Sequence, residues 1–198
     1  MTWEVTTVER AMAIAARAGR KYRNALRELA RGGQLNPEPG HSPLQIRPLQ
    51  PGEEEPVSRL IREVLDEPGV PPIPEDAGAL ANVRPDAMRY RGQQGSVFLL
   101  ALEGERIIGV IEIEGLSHIA LLFVARDRRR RGVARRLWES ARAFCRTFDP
   151  GGRRFTVNSL ESALPVYRSL GFVECGPPMR QDGLVTIPMR FDESAASS

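Results

Sequence analysis

Apolar side chains recur along this chain with two spacings, one typical of helices and the other typical of strands. Between Val133 and Phe148 they return every three or four residues, as one buried helix face requires. The runs Ser96–Leu102 and Arg106–Ile113 are instead rich in aliphatic and β-branched residues, and the short turn Glu103–Glu105 between them predicts a β-hairpin. The next run, Ser117–Val124, is almost continuously apolar, which indicates a central strand buried on both faces.

Further elements are predicted on both sides of this central block. A short first strand is predicted over Leu44–Pro48, and an acidic-capped helix follows Gly52. The others are a helix near Ala77–Met88, a strand over Arg154–Val157, a helix over Leu160–Leu170, and strands over Phe172–Cys175 and Leu184–Phe191. Because strands and helices are interspersed, the pattern predicts one α/β or α+β domain with a mixed sheet.

The predicted domain occupies residues 44–192, between two segments of different character. Residues 1–43 combine a basic amphipathic helix, Thr7–Arg31, with a linker rich in proline and glycine. The weak apolar stripe of that helix favours docking on its own domain or partial fraying, and it leaves a role in a homodimer open. Residues 193–198 are rich in serine and alanine and are predicted to form a disordered tail.

The composition narrows the choice of function. With 198 residues, 41% of them hydrophobic and 27% charged, the chain can bury one ordinary globular core. Cys145 and Cys175 have neither metal-ligand spacing nor the density of a disulfide scaffold, so we predict free thiols and no metal site. No apolar stretch is long enough to span a bilayer, and Glu4 and Glu9 stand where a secretory signal would be basic and then apolar. We therefore expect a cytoplasmic protein without a membrane partner.

A basic run from Arg126 to Arg136 lies where a buried strand gives way to a helix. The net charge is only +3, so this local cluster matters more than the overall balance. The first turn of a helix has unpaired backbone N–H groups and the positive end of the dipole, so amides from about Arg130 to Ala134 can converge on a pyrophosphate. Gly132 lets the backbone approach such a ligand because it has no Cβ.

Two signatures in the sequence resemble the GNAT superfamily of acyl-CoA N-acyltransferases. The family's pyrophosphate loop reads Arg or Gln, two residues, Gly, one residue, then Gly or Ala, and Arg129, Gly132 and Ala134 match it. The segment Val157–Phe172 is similar to the family's later signature, a strand ending in Asn-Ser, a helix bearing a tyrosine and a closing Gly-Phe. The residues that match this second signature are Asn158, Tyr167, Gly171 and Phe172.

The resemblance implies a fold and a cofactor site. The fold is a single α/β domain whose central mixed, mostly antiparallel sheet carries helices on both faces and splays between Ser117–Val124 and Arg154–Val157. The pantetheine arm of acetyl-CoA would lie in that gap like an added strand, with its pyrophosphate on the loop and Asn158 on the opposite wall. The implied cofactor-binding residues are Leu122, Phe123, Val124, Arg129, Arg130, Arg131, Gly132, Val133, Ala134 and Asn158.

Acyl transfer to an amine needs a group that removes a proton, because an ammonium has no lone pair. The family frequently uses a Glu on the strand before the loop, and the matching position here is His118, whose ordinary pKa of about 6.5 leaves it largely neutral at physiological pH. Glu112 and Glu114, on the preceding strand, are alternative bases acting through water. By resemblance, Tyr167 is the acid that protonates the departing thiolate.

We therefore predict an N-acetyltransferase that moves acetyl from acetyl-CoA to a primary amine of a small molecule or peptide, by direct attack in a ternary complex. One alternative is a non-catalytic acyl-CoA sensor or scaffold, because the family's Glu is absent and Arg126 stands where the family has Pro. Another is a basic nucleic-acid-binding module. That module would lack a recognised motif, so nucleic acid is not expected as a partner.

Acidic residues crowd the stretch that builds the acceptor pocket in this family. They hint at a cationic acceptor, such as a polyamine, an aminoglycoside or a basic peptide end, although ordinary solvated charges explain them more simply. These residues are Glu53, Glu54, Glu55, Glu63, Asp66, Glu67, Glu75, Asp76 and Asp86. The identity of the acceptor, the acyl-chain preference and the oligomeric state do not follow from the sequence.

Overall fold

The sheet and the helices packed on it form the part of the chain that the computed structural model describes, residues 44–68, 70, 72–73, 78–151, 154–181 and 184–193. The predicted N-terminal helix and its linker lie outside these residues. The strands are β1 (Leu44–Pro48), β2 (Val97–Glu103), β3 (Arg106–Glu114), β4 (His118–Val124), β5 (Arg154–Ser159), β6 (Val173–Glu174), β7 (Met179–Gln181) and β8 (Leu184–Asp192). The α-helices are α1 (Glu54–Leu65), α2 (Gly78–Asn82), α3 (Pro85–Gln93), α4 (Val133–Phe148) and α5 (Leu164–Ser169).

The sheet is mostly antiparallel and has the strand order β1-β2-β3-β4-β5-β8-β6, with β7 paired to β8. Strands β1 to β4 form an antiparallel meander, and β5 pairs antiparallel with β8. The two halves meet at β4 and β5, which run parallel. The mixed, mostly antiparallel sheet that the resemblance implied is confirmed.

Alternating side chains along β2 separate two cores. Leu99 and Ala101 contribute to the core beneath α4, whereas Phe98 and Leu100 belong to the core that α1 and α3 cover. Such alternation is the period-2 pattern of a strand buried on both faces. The helices therefore lie on both faces of the sheet, as predicted.

Helix α4 joins the two halves of the sheet. Its Trp138 is 1% exposed and packs against Phe155 of β5 and Phe191 of β8, with ring centroids 4.9 and 5.5 Å apart. Toward the other half, α4 approaches β3 so closely that a Cβ at Gly109 would lie 3.1 Å from both Leu137 Cδ1 and the Phe123 carbonyl oxygen. The start of α4, which follows the loop of the predicted pyrophosphate signature, is thus packed tightly on the sheet.

Proline changes two of the predicted helices. The single helix expected near Ala77–Met88 is two helices, α2 and α3, because Pro85 opens α3 and forces Arg84 into an extended conformation. The helix expected over Leu160–Leu170 begins only at Leu164, after a 3₁₀ turn, and carries Pro165 in its first turn.

Two further differences concern the end of the chain. Strand β7, Met179–Gln181, was not predicted, because it follows Pro177 and Pro178 and carries no clear alternation. Glu193, the first residue of the predicted tail, is the last residue that the structure describes. Its carboxylate accepts hydrogen bonds from Arg142 and Arg146 of α4 at distances down to 2.8 Å.

Candidate active site

The parallel strands β4 and β5 pair over only two positions, His118 with Thr156 and Ile119 with Val157. A bulge follows at Ala120, since the neighbouring β3 residues pair with Ile119 and Leu121 and skip it. Beyond the bulge, among the described residues, β4 pairs only with β3. Backbone groups of the second half of β4 therefore face a gap between the strands, as the resemblance implied.

The loop between β4 and α4 has the conformation that an anion site requires. Gly132 has φ +79° and Arg130 has φ +59°, so the chain coils tightly before α4 begins at Val133. A Cβ at Gly132 would meet no atom of the described chain within 4 Å, so this side of the loop is open. Together with the unpaired amides in the first turn of the 16-residue helix α4, the loop forms a concave set of N–H donors.

A cleft of about 640 Å³ lies beside this loop. One wall consists of Leu122–Val124 together with the loop residues, and the other is built around Leu160–Val166. Of the predicted cofactor-binding residues, eight line this cleft, namely Leu122, Phe123, Val124, Arg129, Arg130, Gly132, Val133 and Ala134. Among the described residues, Arg131 is exposed and outside the lining, and Asn158 lines the adjacent cavity instead.

Carboxylates engage part of the arginine run. The Arg129 guanidinium donates two hydrogen bonds of 2.8 Å to Glu67, and its Nε lies 3.2 Å from the Val124 carbonyl oxygen. Arg128 donates to Glu103 and Asp127, each at 2.6 Å. These neutralised arginines do not form the open basic surface that a nucleic-acid-binding module would need.

A second cavity, of about 320 Å³, adjoins the cleft, and five residues line both. The shared residues are Leu65, Leu122, Phe123, Leu160 and Ala163. This second space, here named the acceptor cavity, holds both residues that we predicted to be catalytic, His118 and Tyr167. A ligand in the cleft could therefore approach a molecule in the acceptor cavity where the two spaces adjoin, along these shared residues.

His118 begins β4 and is held by the neighbouring strand. Its Nδ1 lies 2.9 Å from Thr156 Oγ1 on β5, and the residue is half-buried. Burial lowers the pKa of His118, and the nearby Glu114 carboxylate opposes this shift only in part. The imidazole is therefore neutral at physiological pH, the state in which it can accept a proton.

Tyr167 lies on α5 and also lines the acceptor cavity. It is 7% exposed, and its ring packs edge-on against Phe172 with centroids 5.7 Å apart. Burial raises the pKa of the Tyr167 phenol well above its ordinary value. The hydroxyl consequently keeps its proton, which suits a proton donor.

Glu112, one of the alternative bases, is fully buried in an ion pair. Arg91 of α3 donates to both of its oxygens at 2.8 and 2.9 Å, and also to the Asn82 carbonyl at 2.8 Å. Burial raises the pKa of Glu112, and the hydrogen bonds from Arg91 offset part of that rise. Glu114, the other alternative, is 44% exposed and lies 3.7 Å from Arg91.

Sequence reasoning missed Arg91 and Thr156, and it named Glu67 only as a member of the acidic stretch, without its partner Arg129. Each contacts a predicted residue from far along the chain: 21 residues separate Arg91 from Glu112, 38 separate Thr156 from His118, and 62 separate Glu67 from Arg129. No motif predicts these pairings, because only the arrangement of strands and loops brings the residues together.

The described residues of the acidic stretch do not converge on the acceptor cavity. Glu53 pairs with Arg47, Glu54 accepts from the Gly52 backbone and Arg89, and Asp86 pairs with Arg84. Of the nine acidic residues in that stretch, those that are described lie outside the lining of this cavity, and Glu75 and Asp76 are not among the described residues. The carboxylates that do line it, Glu112 and Glu114, come from β3.

Comparison with known proteins agrees with this geometry. The family profile described as "Acetyltransferase (GNAT) domain" matches residues 72–193, more than half of the chain. The chain therefore belongs to the GNAT family of acetyltransferases. A UPF0039 protein of Schizosaccharomyces pombe is 31% identical over 74 residues, which cover 37% of this chain and 49% of that protein. The match thus spans about half the length of that relative.

Solved structures share the fold at low identity. A GNAT-family acetyltransferase of Staphylococcus aureus Mu50 superposes with a TM-score of 0.64 at 14% identity, covering 76% of this chain and 99% of that one. An aminoglycoside 6'-N-acetyltransferase complexed with coenzyme A gives 0.57 at 13% identity, covering 75% and 97%. These likenesses support the fold that the strand order defines.

Among the described residues, no helix is long and apolar enough to cross a membrane. The same residues contain no group of three or more His, Cys, Asp or Glu side chains arranged to hold a metal ion.

Proposed function

We propose that this GNAT acetyltransferase transfers acetyl from acetyl-CoA to the primary amine of a small molecule or peptide, in a ternary complex. The observation that carries the proposal is the pair of adjoining cavities. One lies on an amide-rich loop suited to pyrophosphate, and the other holds a neutral histidine and a protonated tyrosine. Both open onto Leu122 and Phe123, where a thioester and an amine would meet.

For the cofactor, we assign the pyrophosphate to the amides between Arg130 and Ala134, and the pantetheine arm to the backbone of Leu122–Val124. The arm would replace the strand partner that β4 lacks beyond Ala120. Asn158, placed at the acceptor cavity, would contact the end of the arm that bears the thioester. When bound, acetyl-CoA supplies the carbonyl carbon that the amine attacks.

For the chemistry, His118 removes a proton from the acceptor amine, directly or through a water molecule. A backbone N–H of Leu122–Val124 donates to the oxyanion as the C–N bond forms. Tyr167 then gives its proton to the sulfur as the C–S bond breaks, its phenolate takes up the second proton that the acylated nitrogen must lose, and the proton on His118 is lost to solvent. Thr156 accepts from Nδ1–H of His118 in this scheme, which leaves the lone pair on Nε2 for the amine proton.

The first test is thermal unfolding with acetyl-CoA, free CoA or ATP at matched concentrations. Binding to the folded state must raise the unfolding temperature, because a ligand at 100 times its Kd adds about 2.7 kcal/mol to the unfolding free energy. We expect acetyl-CoA and CoA to stabilise the protein far more than ATP does. An absence of any shift at saturation would refute the cofactor site, and CoA binding without thiol release in a broad amine screen would point to a sensor.

A further inference from the structure

Most polar groups of the acceptor cavity already have partners in the protein. Arg91 and Glu112 satisfy each other, the Ser159 hydroxyl donates to the Leu160 carbonyl at 2.8 Å, and His118 is held by Thr156. Much of the remaining described lining is apolar, including Leu65, Ile73, Ala79, Val83, Leu121 and Leu184. The body of the acceptor would therefore contact hydrocarbon more than unsatisfied polar groups.

The charges at the polar end of the cavity do not cancel. Arg91 balances Glu112, whereas Glu114 adds a second carboxylate beside the same guanidinium at 3.7 Å. Glu114 pairs in register with His118, which is neutral. The described residues thus leave one negative charge next to the proposed base, where it attracts an ammonium and repels a carboxylate.

The described lining of the cavity offers few partners for further charges on an acceptor. A carboxylate would stabilise each further ammonium of a polyamine or an aminoglycoside, but within the described part of the chain Glu53, Glu54, Glu67 and Asp86 lie outside this lining and are paired with arginines. A volume of about 320 Å³ is at the small end of the range for ligand pockets. Both observations favour a compact molecule with a single charge.

Building on the proposed function, we propose that the acceptor is a compact primary amine with an uncharged, apolar body. Glu114 is the residue that selects it: its carboxylate draws in the ammonium and disfavours acceptors that carry a carboxylate beside the amine, such as free amino acids. This reverses the earlier hint of a polyamine, aminoglycoside or basic peptide.

A matched pair of acceptors tests the proposal with the full chain. Phenylethylamine and phenylalanine differ only in the α-carboxylate, and spermidine represents polycations. Thiol release from acetyl-CoA gives kcat/KM for each. We expect phenylethylamine to exceed both others by at least about tenfold, the ratio that one unfavourable charge contact of about 1.4 kcal/mol produces.

Two variants connect this preference to its cause. Glu114→Gln should reduce the preference for phenylethylamine over phenylalanine by about tenfold, while the KM for acetyl-CoA stays unchanged. Glu55→Gln, which removes an exposed carboxylate of α1 outside the cavity, should leave the preference intact. An unchanged preference in Glu114→Gln would refute the role of Glu114.

The outcomes separate this inference from the proposed function. If phenylalanine or spermidine reacts as well as phenylethylamine, the acceptor class is wrong although the enzyme activity stands. If acetyl-CoA stabilises the protein but no amine releases thiol, the proposed function fails and the acceptor class fails with it.

Discussion

Replacing Arg91 by alanine would expose how strongly the acceptor wall depends on one buried ion pair. Glu112 is fully buried, and Arg91 supplies both of its charge-assisted hydrogen bonds. The same guanidinium also binds the Asn82 carbonyl and lies 5.8 Å from the centroid of the Phe98 ring. The substitution therefore leaves a buried carboxylate without its cation and detaches α2 and α3 from β3.

The expected loss is about 3–5 kcal/mol of unfolding free energy at neutral pH, the usual cost of removing one partner of a buried pair. For a chain of this size, that loss lowers the melting temperature by roughly 10 °C. Urea denaturation at 25 °C measures the free energy directly. A double variant, Arg91→Met with Glu112→Leu, should recover most of the loss, because no uncompensated charge remains.

The pH dependence of the stability loss in Arg91→Ala gives a result that can refute this account. Burial already raises the pKa of Glu112, and without Arg91 that pKa should rise further. Above the pKa of the unfolded chain, the folded variant then binds more protons than the unfolded one, so its stability falls as pH rises through the folded pKa. The cost of Arg91→Ala should be clearly smaller at pH 5 than at pH 8. A cost below about 1 kcal/mol, or one independent of pH, would refute this account.

Three further predictions concern the site and its support. His118→Ala should lower kcat by about 10²-fold or more. In the wild type, kcat/KM should fall with acidity only well below pH 6.5, because burial lowers the pKa of His118. The pH profiles of thiol release by both proteins test this. Thr156→Val should lower kcat about tenfold without changing the KM for acetyl-CoA. Thr156→Ser keeps the hydroxyl and should therefore retain activity. An unchanged kcat in the valine variant would show that Thr156 does not orient His118. Gly109→Ala should lower the unfolding free energy by about 1–3 kcal/mol through overpacking, since the new Cβ would lie 3.1 Å from a backbone oxygen. Gly92→Ala in α3 has open space around it, so it should be neutral or stabilising by up to about 1 kcal/mol. Thermal melts compare the two variants.

The sequence predicted those features that depend on local pattern. The apolar runs predicted β2, β3 and β4, and the glycine of the hairpin turn, Gly104, has the positive φ of 60° that such turns favour. The loop signature likewise predicted Gly132, whose φ of 79° permits the coil before α4. These features could be predicted because each follows from a few neighbouring residues.

Long-range pairings could not be predicted in this way. Which carboxylate binds Arg91, and whether Glu67 faces solvent or Arg129, depends on the sheet register and on the path of the α1–α2 connection. An acidic stretch looks the same in sequence whether its side chains line a pocket or pair with arginines on the surface. Apolar periodicity therefore predicts strands and helices from the sequence better than the positions of charged residues predict their partners.

The gap beside β4 has a consequence for the fate of the protein without its ligand. Beyond Ala120, in the part of the chain that the structure describes, this strand pairs only with β3, which leaves a strand edge in the middle of the sheet. Open strand edges are templates for pairing with other chains. If the proposed cofactor fills this gap, its absence should make the protein more prone to aggregate, and the supply of that ligand would help determine how long each molecule survives.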